Sequence, residues 1–256
     1  MTRKKHTDSA RNYRKNITPS QNEVSFQVVV EQTDLFVTAQ KDLHAEVAAI
    51  IHEVRSVIKA HIFLNPQFGT SLKPVNVPSD ADPIITAMAE AARLCNVGPM
   101  AAVAGAVAQE VATRLKPVSE NILVENGGDI YMHSTVPRKV ALLSDPESGS
   151  KIGLVIKSNE FPVSICSSSG TIGHSLSLGS GDLVTVRSQD GRLADAAATA
   201  LANFLKSPAD VPLVIEKART LSESLTKSGA NYGLDGVFVQ YDSKVGAWGN
   251  IELIAL

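Results

Sequence analysis

Residues 194–201 read ADAAATAL, an alanine-rich stretch that still carries a carboxylate, Asp195, and a hydroxyl, Thr199. Alanine is the strongest helix former and leaves neighbouring backbones room to approach. Four residues apart on a helix, the two polar side chains lie one above the other on one face. Two readings of the pair stand. In one, Asp195 caps the helix N-terminus by accepting backbone N–H bonds, while Thr199 bonds back to a carbonyl of the preceding turn. In the other, both supply oxygen to a hard cation such as Mg²⁺, which keeps waters and substrate phosphates in its remaining positions. The spacing is compatible with either.

Upstream of this helix the pattern is β. "NILVENGGDIYMHS" (121–134) reads as two strands about a Gly127-Gly128 turn, followed by short strands in "KVALLS", "KIGLVIKS", "FPVSICSSS" and "GDLVTVRSQDG". Two of the connections carry chemistry. In "ENGGDI" the glycines serve a hairpin, or they offer bare backbone to a ligand with Asn126 and Asp129 flanking it. In "SSSGTIGHS" (167–175) the sequence is that of a polar surface loop. Alternatively, oriented N–H groups around Ser169, Gly170 and Thr171 cradle phosphate, with His174 placed to exchange a proton near neutral pH.

Further out the helices take over. "KDLHAEVAAIIHEVRSVIKAHI" (41–62) places Leu43, Val47, Ile50, Ile51, Val54, Val57 and Ile58 at helical spacing. His44 and His52 fall within it and read as solvated or capping residues rather than metal ligands. "FLNPQFGTSLKPVNVPSD" (63–80) reads as an irregular connection. Asp82 and Pro83 then open a helix to about Cys95 as N-cap and first helical residue. "AAVAGAVAQEVATRL" (101–115) is a second helix, whose small-residue face around Gly105 suits close approach to another backbone or to a ligand. A further helix over "VPLVIEKARTLSESL" and strands in "EVSFQVVVEQTDLFVTAQ", "GVFVQY" and "NIELIAL" complete the pattern. The fold class expected is α+β: largely antiparallel sheets with packed helices, in two intimately packed subdomains that form a single domain over 21–256.

The 256 residues are 44% hydrophobic and 20% charged, with a formal net charge of -2. That composition is ordinary for a globular core, and the charge balance gives no general case for nucleic acid. Residues 1–20 form an expected basic arm, with Arg3, Lys4, Lys5, Arg11, Arg14 and Lys15 against Asp8. It reads as a solvated tail or as an arm for phosphate or an acidic partner. No run of eighteen apolar residues predicts a membrane span. Cys95 and Cys166 are isolated and read as reduced thiols, so a cytoplasmic location is expected.

The order of the motifs adds a resemblance. A small-residue helix pair, ENGGDI, SSSG with a downstream His, and ADAAATAL together resemble the ApbE family of flavin transferases over residues 96–205. With "FGTSLKP" and "VGPMAAVAGA", the chain is most similar to a cytoplasmic branch of that superfamily. The resemblance implies an ApbE-like fold and binding of FAD and Mg²⁺. It further implies transfer of FMN, or a related phosphoryl or nucleotidyl group, to a hydroxyl of an acceptor flavoprotein. The metal ligands it carries over are Asp195 and Thr199, with the Ala198 carbonyl as a further contact. Cofactor contacts fall on Asn126, Gly127, Gly128, Asp129, Ser169, Gly170, Thr171 and Gly105, and the proton-handling residue is His174. The alternatives are a protein that binds a flavin or nucleotide without transferring it, or a structural partner of a redox complex. No nucleic-acid or membrane partner is expected, and a homo-oligomer is compatible with the sequence.

Overall fold

A computed structural model describes residues 22–142, 152–169 and 183–255. The basic arm, Gly170, Thr171 and His174 lie outside the described residues. Among those described, strands β1 (Val24–Val30), β2 (Thr33–Ala39), β3 (Ile122–Asn126), β4 (Asp129–His133), β7 (Val163–Ser168), β8 (Leu183–Ser188), β9 (Gly236–Tyr241) and β10 (Lys244–Gly249) form one sheet in the order β1-β2-β3-β4-β7-β8-β9-β10. Every neighbouring pair in it is antiparallel. Strands β5 (Arg138–Leu142), β6 (Ile152–Ile156) and β11 (Leu253–Ala255) make a second, three-stranded sheet in the order β11-β6-β5.

The two-residue period of a strand sends alternate side chains to opposite faces. On β4, Tyr131 joins a core shared with the helices, whereas Met132 joins one shared with Val140, Leu142, Leu154 and Ile156 of the small sheet. The large sheet is therefore the middle layer. Helices α1 (His44–Leu64), α3 (Pro83–Cys95), α4 (Val103–Leu115), α5 (Gly191–Ala202) and α6 (Val211–Lys227) cover one face, and the small sheet covers part of the other. The α+β class with largely antiparallel sheet is the observed one.

Local chemistry explains most boundaries. Asp82 Oδ1 accepts the Ile84 N–H at 3.0 Å, Pro83 takes the first turn of α3, and Asn96 ends it in the left-handed region. The irregular connection expected after residue 63 contains a short helix, α2 (Pro66–Thr70), which Pro66 starts. One expectation about α5 needs correcting. Its N-cap is Asp190, which accepts the N–H groups of Arg192 and Leu193 at 2.9 and 3.0 Å, so Asp195 lies inside the helix rather than at its start. Strand β10 also escapes pattern reading, because its mostly exposed face and two glycines carry little apolar alternation.

Candidate functional site

The site is assembled where four elements meet: the first turn of α4, the β3–β4 turn, the end of β7 and the second turn of α5. Two glycines bring the helices together. A Cβ on Gly105 would lie 2.0 Å from the Gly191 carbonyl oxygen, and one on Gly191 would lie 2.8 Å from that of Gly105. The close approach that the small-residue face anticipates is thus to another backbone. At this distance Asp195 reaches across, and its Oδ2 accepts the Gly105 N–H at 2.9 Å. Asp195 is consequently a cap in trans, filling a first-turn amide of α4 that has no partner in its own helix.

The β3–β4 turn closes from the other side. Asn126 and Asp129 pair across it, and Gly127 and Gly128 take φ of 69° and 112°, both in the region that favours glycine. The hairpin explanation of ENGGDI is therefore correct, and the turn also faces open space, since a Cβ on Gly128 would meet nothing within 4 Å. Asn126 Nδ2 donates to the Ala104 carbonyl at 3.2 Å and fastens the turn to α4. Glu125, 2% exposed, accepts the Gly128 N–H at 3.0 Å.

Asp129 completes the centre. Its Oδ1 accepts the Ser167 N–H at 3.1 Å, drawing the end of β7 against the turn. Burial pushes its pKa up to about 7, with the charge of Glu125 adding to that and the Ser167 and Cys166 hydrogen bonds opposing it. The carboxyl of Asp195 is likewise raised well above its ordinary range, first by burial and then by the negative charge of Asp129. Two carboxyls buried beside one another cannot both be ionised at low cost; the pair holds a proton or attracts a cation. The Cys166 thiol donates to the Gly191 carbonyl at 3.6 Å, and its pKa is pushed far up by burial and by both aspartates. Ser168, 3% exposed, leaves its Oγ without a hydrogen-bond partner among the described residues.

Of the sequence-derived set, Gly105, Asn126, Gly127, Gly128, Asp129 and Asp195 come together, with Ser169 buried at the end of the adjoining strand. Thr199 is half-buried one turn beyond Asp195, and its hydroxyl has no hydrogen-bond partner among the described residues. Ala198, 1% exposed, sits inside α5, where its carbonyl belongs to the ladder of the helix itself. Among the described residues no three His, Cys, Asp or Glu side chains gather as a metal cage would. Sequence reasoning missed Cys166 and Ser168, and it did not anticipate that Asp129 acts on Asp195. The one available signal was their place in adjoining motifs, because contacts across tens of residues leave no local period.

The sequence model of the family described as AbpE bacteria matches residues 15–226. A UPF0280 protein of Methanocaldococcus jannaschii is 33% identical over 89% of this chain and 91% of its own length. One from Methanococcus maripaludis is 40% identical over 79% of this chain and 80% of its own length. Among solved structures, the flavin transferase ApbE of Vibrio cholerae superposes with a TM-score of 0.51 at 15% identity, covering 88% of this chain and 96% of that one. The ApbE protein of Thermotoga maritima gives 0.50 at 13% identity, covering 89% and 97%.

Proposed function

The chain belongs to the AbpE bacteria family, and from that premise we propose that it is an ApbE-like, Mg²⁺-dependent transferase acting on FAD or a similar nucleotide. The group moved is FMN or a related phosphoryl or nucleotidyl unit, and the acceptor is a hydroxyl of a flavoprotein. The observation that carries this reading is the convergence on one buried carboxyl pair, Asp129 and Asp195, of four motifs spread over residues 104–195.

The residues present fit a hard cation. Asp195 offers a carboxylate, Thr199 an unspent hydroxyl one helical turn away, and the buried negative charge beside Asp129 is what a dication offsets. When bound, magnesium supplies charge neutralisation at a diphosphate undergoing transfer. The chain's own residues do the rest. The Gly105 N–H fixes the rotamer of Asp195, Asn126 ties the glycine turn to α4, and the open side of Gly128 admits the ligand to the backbone. Without an ion beside it, Asp129 holds its proton up to about neutral pH. His174 takes the role of orienting or deprotonating the acceptor hydroxyl.

A second reading, retention of a flavin or nucleotide without transfer, has one observation in its favour. Ala104 stands on the first turn of α4, its carbonyl bonded to Asn126, where the resembled family carries a lysine. No fixed cation then faces the phosphates from that turn. The test separates the two. FAD should raise the melting temperature only when Mg²⁺ is present, and Asp195→Asn should abolish that dependence. Mass spectrometry of a co-expressed flavoprotein should then show an FMN-sized addition. Stabilisation without any adduct selects the second reading, and FAD stabilisation equal with and without Mg²⁺ overturns the metal assignment.

A further inference from the structure

Strand β8 carries a second polar site at its other end, away from Val184, which pairs with Ser168. Arg187 lies two residues beyond Thr185 on the face turned toward the small sheet, and with Asn159, Glu160, Gln189, Asp235 and Asn250 it lines a cleft of about 290 Å³. None of these residues belongs to the site around Asp195.

The charges in the cleft are unevenly spent. Arg187 is 3% exposed; its Nη2 lies 3.1 Å from Glu160 Oε1 and its Nη1 donates to the Asn250 carbonyl at 3.2 Å. Glu160 is fully engaged, accepting the Lys157 N–H and the Asn250 side-chain amide at 2.6 Å each. What remains is N–H capacity on Arg187, which spends two of its five donors, and one carboxylate. Arg187 Nε, itself buried, has no hydrogen-bond partner among the described residues. The Asp235 carboxyl, half-buried, has none there either, although its backbone is pinned by Asp235 N–H to Arg187 carbonyl and Asn250 N–H to Asp235 carbonyl bonds, both 2.8 Å. Burial raises the pKa of Asp235, with Glu160 adding to the rise and Arg187 opposing it.

An anion alone would meet Asp235 and Glu160. A dication alone would meet the guanidinium beside the only unspent carboxylate. A ligand with both signs answers both groups, and the volume lies just under the roughly 300 Å³ where pockets for drug-sized ligands begin. We propose that this cleft binds a small zwitterion of the α-amino-acid class, with its ammonium on Asp235, its carboxylate toward Arg187, and the side-chain amides of Asn159, Gln189 and Asn250 around it.

Calorimetric titration of the full chain tests this with glycine, L-alanine, L-glutamine, L-glutamate and L-lysine singly, and with methylammonium chloride and sodium acetate as half-ligands. At least one amino acid should bind with Kd of about 1 mM or tighter, and each half-ligand at least about tenfold more weakly. Asp235→Asn, close to isosteric, should weaken the best amino acid at least about tenfold. Should that variant misfold, Gln189→Ala at an exposed position should weaken it severalfold. Asp195→Asn should leave binding unchanged, which separates this cleft from the flavin reading. The proposal is overturned if no amino acid binds, if acetate or methylammonium matches the best one, or if the folded cleft variant binds undiminished.

Discussion

Asp195 shows how one side chain serves two ends. Its carboxyl takes up the Gly105 N–H of another helix, and that bond fixes the orientation any ligand or cation would meet. The same burial makes its thiol neighbours inert. The pKa of Cys95 is pushed up to about 12 by burial and the charge of Asp195, and that of Cys166 is pushed far up by burial and by both aspartates. Thiolate is the reactive form, so neither sulfur should be a nucleophile at neutral pH. With a disulfide reagent at pH 8, the native protein should release colour slowly at both positions, and the guanidinium-unfolded chain should release it at once. Prompt native labelling of either cysteine would contradict the buried placement.

At the level of elements, the crossing of α4 over α5 is the feature that builds the site. It depends on two positions without a side chain, because each backbone fills the volume a Cβ would need on the other. Gly105→Ala should destabilise the fold by about 1–3 kcal/mol or more, since the atom met is backbone and cannot rotate away. It should also part Asp195 from its amide and so reduce Mg²⁺-dependent FAD stabilisation. Gly233→Ala is the control: nothing lies within 4 Å of its added methyl, and it should change stability by no more than about 0.5 kcal/mol. Urea unfolding of the two variants decides the matter, and equal midpoints would mean the helices can separate without loss.

Across the whole molecule, two buried groups give stability opposing pH dependences. His133 is 8% exposed, and its pKa is lowered from 6.5 to about 4 by burial and by Lys116. Between those values the unfolded chain binds a proton that the folded chain refuses, so this contribution grows as pH rises and is complete above 6.5. Asp129 does the reverse. Raised from 3.8 to about 7, it keeps a proton that the unfolded chain releases, and its contribution is lost as pH climbs through that window. Urea unfolding in chelator at several pH values should separate them. The stability of Asp129→Asn relative to the parent should increase from acid to neutral pH, and that of His133→Asn should decrease. A flat difference for either variant would show that its group is solvated rather than buried.

Much of this architecture was legible before any coordinates. Apolar periodicity marks α1, the Asp82-Pro83 pair starts α3, the glycine pair makes the β3–β4 turn, and the order of motifs identifies the family; each depends on residues close in sequence, where propensity and period act directly. Tertiary structure alone decided that Asp190 caps α5, that Asp195 meets an amide ninety residues away, that Asp129 raises its proton affinity, and that Arg187 and Asp235 line a second cleft. Those outcomes arise from backbone approach and exclusion of water between distant segments. Both are properties of the packed chain, and no local stretch of sequence encodes them.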